Sequence, residues 1–471
     1  MKSSTRKWFA LVGVLLCGAV AGAQTSGVRF ARHDEMRDVL DELGDALPVE
    51  LKVLPSVSAD AAWASWLNTR DTQIRGRLAQ GDQDTIVNWL LSGNSFTAEP
   101  RMVLDLSATD TQAVKKLADL IGARTDDLLK ALAVPGTDER RVFARRFFDG
   151  NGFHFDTPAG VDELRKHLLL AIQRFAVEEA QMDQDLDAAR QSPEPEALFA
   201  LRSHQFDSRG LSLDTSLVAN YALEQSLATL KMRGMLKPGS VRRVAIVGPG
   251  LDFVDTEDGF DFYPPQTVQP FAVIDSLRRL QLAPATGTPD VVVFDISPRV
   301  IDHVTRAHDR AVRGTGYTLT LPLTFGREWL PEFQAYWKTL GDKVGVAAPA
   351  AVDKAIAARA DVRTVRIPAS VVQHLSVADL NIVTQRVDDG SFDLVIATNV
   401  FVYYDVLEQA LAVANIEHML RNGGFLLSNS VLPESQVLPI ELIDSAITTS
   451  AYTRAGNERI LPYRRMDGSV R

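Results

Sequence analysis

The pattern of apolar and polar positions changes character about halfway along the chain. Up to about residue 235, apolar residues recur at the three- and four-residue spacing of helices with one buried face. Stretches 35–43, 85–91, 111–121, 125–132, 139–148 and 161–189 carry this period. Asp110, Thr125 and Thr157 stand where N-cap neighbours are expected. Gln191-Ser-Pro-Glu-Pro195 breaks the pattern with a rigid polar turn. From Arg242 the pattern is different. Short, nearly continuous apolar runs alternate with helical periods, as in strands covered on both faces of a parallel sheet. Strands are expected at 243–247, 290–295, 363–367, 392–398, 424–429 and 447–453, and 460–465 suits an antiparallel edge partner for the last. The expected fold is α/β, a doubly wound and mostly parallel sheet (236–471) preceded by a mostly α-helical domain (24–235). A helical pattern over 214–231 is expected to pack on the sheet ahead of its first strand. Segments near 251–269 and 313–360 are insertions, and either could roof a pocket.

The densest information lies between Phe392 and Asn429. The apolar run from Phe392 to Thr398 ends in Asn399, and a helical face of Val406, Leu407, Ala410, Leu411, Ala414 and Leu420 follows. Asn422-Gly423-Gly424 is expected to stop that helix. The unit is strand–helix–strand, with a polar residue at the carboxyl end of the first strand, the edge where open parallel sheets bind ligands. Two further strand ends carry similar signals. Val244-Ala-Ile-Val-Gly248-Pro249-Gly250 is a strand entering a glycine turn, where the backbone can approach a ligand closely. Asp295 ends the run Asp290–Asp295, where a carboxylate can accept both hydroxyls of a ribose. Its other reading is a helix cap, but Ser297 stands well placed for that task.

This series resembles the class I S-adenosylmethionine (SAM)-dependent methyltransferases. Asn399-Val400-Phe401-Val402-Tyr403-Tyr404-Asp405 is most similar to the chemotaxis-receptor methyltransferases. The likeness covers the second half of the chain and implies a Rossmann-type fold with SAM as cofactor. It implies that Gly248 and Gly250 cradle the methionine and ribose parts and that Asp295 holds the ribose. Asp379 and Leu380 would contact the adenine, Asn399 and Val400 would line the cleft near the methyl group, and Tyr403 would stand near the reacting centre. The sequence departs from the family at three places. Thr398 replaces an arginine, Ile246 an acidic residue, and Asp252 the third glycine of the turn. Asp252 either faces the amino group of the methionine moiety or bonds its own backbone in a turn. Asp379 reads equally as a surface aspartate, and Tyr403 as a packing residue at a helix start.

The 471 residues suffice for two sizeable cores. Formal net charge is −10, with no basic run, so nucleic acid is not an expected partner. Lys2, Arg6 and Lys7 precede an apolar run from Trp8 to Ala21, and Ala21-Gly22-Ala23 suits cleavage before Gln24. This predicts a signal peptide over 1–23 and export to a periplasmic or secreted location, with no stable membrane span after cleavage. An anchored form facing the cytoplasm is the other reading. Cys17 is the single cysteine, so a mature chain would have neither disulfides nor a cysteine nucleophile. There is no Gly-x-Ser-x-Gly elbow, phosphate-binding Gly-Lys-Ser/Thr loop or His-Glu-x-x-His pair. His303 and His308 are expected to be core or solvent histidines. Export would separate a SAM-dependent enzyme from the cytoplasmic supply of SAM. A second reading is therefore an exported, non-catalytic binding protein on a degenerate methyltransferase fold. A third is a fold relative transferring an aminopropyl group. The acceptor is unidentified, either a protein carboxylate or a small molecule.

Overall fold

The computed structural model describes residues 27–471 except 45–46, 53–58, 103–110, 192–216, 255–258, 323–328, 350–359, 389, 434, 444–446, 451–456 and 468–471. The expected leader with Cys17, Asp110, the polar turn after Gln191, and residues 451–453 of the last expected strand lie outside the described residues.

The first half runs β1 (Val28–Phe30), α1 (His33–Leu43), α2 (Val49–Lys52), α3 (Ala59–Gly76), α4 (Leu78–Ser92), α5 (Thr111–Ala133), α6 (Glu139–Gly150) and α7 (Pro158–Gln191). The second half begins with α8 (Leu217–Met232), β2 (Arg243–Val247), α9 (Gln269–Arg279), β3 (Asp290–Asp295) and α10 (Pro298–Val312). It continues through β4 (Tyr317–Pro322), α11 (Pro331–Thr339), β5 (Val346–Ala348), β6 (Val362–Ile367), α12 (Ala369–Val372), β7 (Leu375–Asp379) and β8 (Gln385–Val387). It ends with β9 (Phe392–Ala397), α13 (Val406–Met419), β10 (Leu420–Ser428), β11 (Ile440–Leu442), β12 (Ile447–Ser450) and β13 (Asn457–Arg465).

The central sheet has the order β7-β3-β2-β9-β10-β13-β11, and β12 also pairs with β13. The five strands β7, β3, β2, β9 and β10 are parallel, and β13 joins antiparallel. Counted along the chain, the parallel strands lie in the order 3-2-1-4-5, that of a doubly wound nucleotide-binding sheet. The order reverses between β2 and β9, which opens a crevice at their carboxyl ends. The edge hairpin is antiparallel as expected, but Ile447–Ser450 lie opposite residues 460 back to 457, and of the expected partner 460–465 only Ile460 takes part, since 461–465 pair with β10 and β11.

Alternate residues of each strand feed two cores. Ile246, Val293 and Leu394 face α8, α9 and α10, whereas Ala245, Phe294 and Val395 face α1, α3 and α13. The first helices therefore share a core with the sheet. Helices α4 to α7 build a separate core around Trp89, Leu128, Phe148 and Leu164, which also takes Phe253 and Val254 from the 251–269 insertion. Strand β1 pairs with β8, and Glu35 of α1 holds both Arg29 and the buried Arg386.

Four local expectations need correction. Residues 362–367 are a strand, but of a separate three-stranded antiparallel sheet, β4-β6-β5. The third parallel strand is β7, a shorter and partly exposed segment. The expected helices at 111–121 and 125–132 are one helix, α5, and Thr125 sits inside it with its hydroxyl donating to the Ile121 carbonyl at 2.7 Å. Asn422-Gly423-Gly424 does not cap α13, which ends at Met419 and passes directly into β10. Pairing with β9 wins there, and the glycines form an irregularity between Leu420 and Phe425. Gly423 has φ 73°, and a Cβ on Gly424 would stand 3.0 Å from the Phe392 carbonyl oxygen. Finally, the Ser297 side chain does not cap α10.

Candidate functional site

The strand ends that the sequence singles out converge on one cleft at the switch point. It is lined by Val247, Gly248, Gly250, Phe294, Asp295, Ile296, Leu380, Ile382, Asn399, Val400, Tyr403, Tyr404 and Leu78.

Gly248 and Gly250 leave β2 with φ of 61° and 65°. Side chains rarely tolerate that conformation, and a Cβ on Gly248 would stand 3.2 Å from Val400 Cγ2. The glycine turn thus keeps the floor of the cleft bare. On the neighbouring strand Asp295 is 7% exposed, and its Oδ1 accepts the Ser297 backbone N–H at 2.8 Å. It does part of the helix-start work expected of Ser297 while still lining the cleft. Burial pushes its carboxyl up to about 7, against the pull of the Ser297 and Ile296 amides and of Arg299. Asp295 is the only carboxylate among the lining residues.

Asn399 follows β9 with φ 58°, a conformation asparagine accepts better than most residues. Its backbone N–H donates to Asn429 Oδ1 at 2.8 Å, and Asn429 Nδ2 donates to Asn399 Oδ1 at 2.5 Å. Val400 seals the floor over Gly248. Tyr403 and Tyr404 come from the short 3₁₀ turn ahead of α13. Tyr404 is buried, which raises its phenol above the usual range. Glu408, one turn into α13, is also buried. Burial and the neighbouring Asp405 push it up to about 7, although Arg70 approaches at 3.4 Å.

Two of the singled-out residues fall outside this lining. Asp252 is buried beside the turn, where Tyr263 and Gln266 donate to its carboxylate at 3.2 and 2.9 Å. An extended backbone pairing with Gln266 carries the chain away from the cleft there. Asp379 ends β7 opposite Asp295 in register. Its carboxylate is paired with Arg75 at 2.7 Å, with the side chain 57% exposed. Leu380, next to it, is the residue that reaches the cleft.

The roof comes from the first half of the chain. Arg77 Nη2 donates to the Tyr403 carbonyl at 2.9 Å, and Leu78 turns inward. With Arg70 at α13 and Arg75 at β7, the α3–α4 junction straps both sides of the crevice. Sequence reading passed over Leu78 and Ile382, which nothing local marks. Val247, Phe294, Ile296 and Tyr404 are immediate neighbours of residues it picked. His303 is a core histidine, with Nε2 at 2.8 Å from the Tyr317 hydroxyl. Burial and nearby Arg306 and Arg310 hold its imidazole down to about 4. Among the described residues, no group of three His, Cys, Asp or Glu is placed to hold a metal, and no helix is long and apolar enough to cross a membrane.

No protein-family model matches the sequence, and no curated protein matches it. Solved structures with some likeness include a TehB-like SAM-dependent methyltransferase from Corynebacterium glutamicum, 12% identical over 54% of this chain and 100% of that one, with a TM-score of 0.22. MtNAS, solved with MTA and tNA, is 13% identical over 81% of this chain and 96% of its own, with a TM-score of 0.24. The glycopeptide N-methyltransferase MtfA, complexed with S-adenosylhomocysteine, is 12% identical over 57% and 83%, with a TM-score of 0.21. Scores this low decide nothing about this chain. The strand order and the cleft at its reversal make it an open, doubly wound α/β protein with a crevice at the switch point.

Proposed function

We propose that this cleft binds SAM and that the chain transfers its methyl group to an acceptor. The observation that carries the reading is Asp295, a buried carboxylate at the end of the second parallel strand, sharing one cleft with the bare Gly248–Gly250 turn. The residues fit the cofactor chemically. Asp295 accepts hydrogen bonds from a pair of hydroxyls, and the glycine turn admits a ligand to backbone distance. Leu380 and Ile382 offer an apolar wall to a flat base, while Asn399 and Tyr403 stand at the far end, where an acceptor would enter. Bound there, SAM would supply a methyl group already activated on a sulfonium, so the protein has mainly to align the acceptor behind it. A carboxylate acceptor would need no base, whereas an amine or alcohol would. Asp379 then serves by tying Arg75, and with it the roof, to the adenine end.

The acceptor is proposed to be a protein carboxylate or a small molecule. Residues 1–23 are proposed to direct export, which N-terminal sequencing of the mature protein tests. A chain found only in the cytoplasm with Met1 intact would refute that part. The cofactor reading is tested by calorimetric titration with SAM and with S-adenosylhomocysteine. Micromolar binding that Asp295→Ala abolishes is expected. A folded protein that binds neither ligand would refute it, and a preference for decarboxylated SAM would point to aminopropyl transfer instead.

A further inference from the structure

We infer that Asn429 and Glu458 are positioning residues that fix the Asn399 amide with its N–H donors toward the cleft. The inference rests on the proposal that SAM occupies that cleft. The logic starts from a group whose role is unambiguous. The Asn399 backbone N–H can only donate, and it meets the side chain of Asn429 at 2.8 Å, so the atom there is the Asn429 oxygen. The other terminal atom of Asn429 is therefore its NH₂. It donates to Glu458 Oε1 at 3.2 Å and to Asn399 at 2.5 Å. The Asn399 atom that receives it must be the carbonyl oxygen. That leaves Asn399 Nδ2, with two N–H donors, as the terminal group not held by Asn429, on a residue that lines the cleft.

The strand register makes this pairing possible. Ser428 lies opposite Ala397, so the residues just beyond β10 and β9 meet side by side. The positive φ of Asn399 presents its N–H to Asn429. Glu458 arrives from β13, the antiparallel edge strand, and supplies a second acceptor to the Asn429 amide. The edge hairpin thereby helps set the polarity of the cleft. At this position the cleft offers a hydrogen-bond donor. It selects ligand atoms that accept, such as a carboxylate or carbonyl oxygen, and disfavours an ammonium or other donor there.

The test compares two ligands of equal charge. One is SAM, and the other is sinefungin, its analogue carrying a protonated amine in place of the methylated sulfonium. The variant Asn429→Asp, made together with Glu458→Gln so that no second carboxylate faces the new one, has no donor on residue 429. Its carboxylate accepts both from the Asn399 backbone and from Asn399 Nδ2, which turns the Asn399 oxygen toward the cleft. Because both ligands are cations, the added charge cancels in the ratio of their affinities. We expect Asn429→Asp to move the ratio roughly tenfold toward sinefungin, the size of one exchanged hydrogen bond. Asn399→Asp places an acceptor in the cleft directly and should move the ratio the same way, which keeps the test open if the first variant does not fold. If the folded variants bind both ligands with the wild-type ratio, the inference fails. If the wild-type protein binds neither ligand, it is the SAM reading that fails.

Discussion

Neutralising Asp295 should stabilise the fold at alkaline pH and weaken ligand binding. Its carboxyl is buried and pushed up from 3.8 to about 7. A folded-state value above the unfolded one means the folded chain holds the proton more tightly. The stabilisation from that proton is full below about pH 4 and is lost as pH rises to about 7. A shift of this size corresponds to ~4 kcal/mol at its upper limit. Asn in its place can still accept the Ser297 amide but has no charge to bury. In urea melts, Asp295→Asn should gain on the wild type by about 2 kcal/mol or more between pH 5 and pH 8, and exceed it at pH 8. Binding has the opposite sign. Ribose hydroxyls favour the charged carboxylate, so S-adenosylhomocysteine should displace a proton. Its affinity should rise roughly tenfold from pH 6 to pH 8 in the wild type and stay flat in Asp295→Asn. Calorimetry in buffers of different ionisation enthalpy reads the released proton directly. Affinity independent of pH in the wild type, or a variant no more stable at pH 8, would refute the reasoning.

Three further outcomes follow from the geometry. Gly248→Ala should cost about 1–2 kcal/mol in urea melts, because it forces a Cβ into a left-handed turn against Val400, and it should weaken SAM binding more than it weakens folding. Glu35 lies between Arg29 and the buried Arg386. Burial raises its carboxyl, but Arg29, the Arg32 amide and Arg386 together hold it down to about 2. Its stabilisation is therefore present above about pH 4.5 and lost as pH falls through 2, and Glu35→Gln should cost about 2–3 kcal/mol at pH 7, because Arg386 is left with only Asp388 at 3.5 Å as a charge partner. Leu78→Ala should open the roof, weakening ligand affinity several-fold in calorimetry while leaving the melting temperature within a few degrees. An unchanged affinity would remove Leu78 from the site.

Much of the second half was legible because its determinants are local. A strand covered on both faces must be apolar throughout, so β2, β3 and β9 appear as runs with clear ends. The residues at or just beyond those ends are the ones that reach the cleft, including Gly248, Asp295 and Asn399. Helix α3 was harder to see, since only Trp63, Leu67 and Ile74 of its length are buried. Alternation in β6 marked a strand without saying which sheet it joins. The short β7, of which only Leu375 is buried, gave too little signal to claim its place beside β3.

The sequence by itself determined the alternating α/β order, the glycine turn and the polar strand ends, because burial and backbone conformation at those points depend on neighbours within a few residues. Only the tertiary structure decided that Asp252 turns into the insertion, that Asp379 is spent on Arg75, and that Asn429 orients Asn399. It alone placed Leu78 over the cleft. Those contacts join residues as far as some three hundred positions apart. A charged or apolar side chain carries no mark of its distant partner until the sheet order brings the two strand ends or helix junctions together.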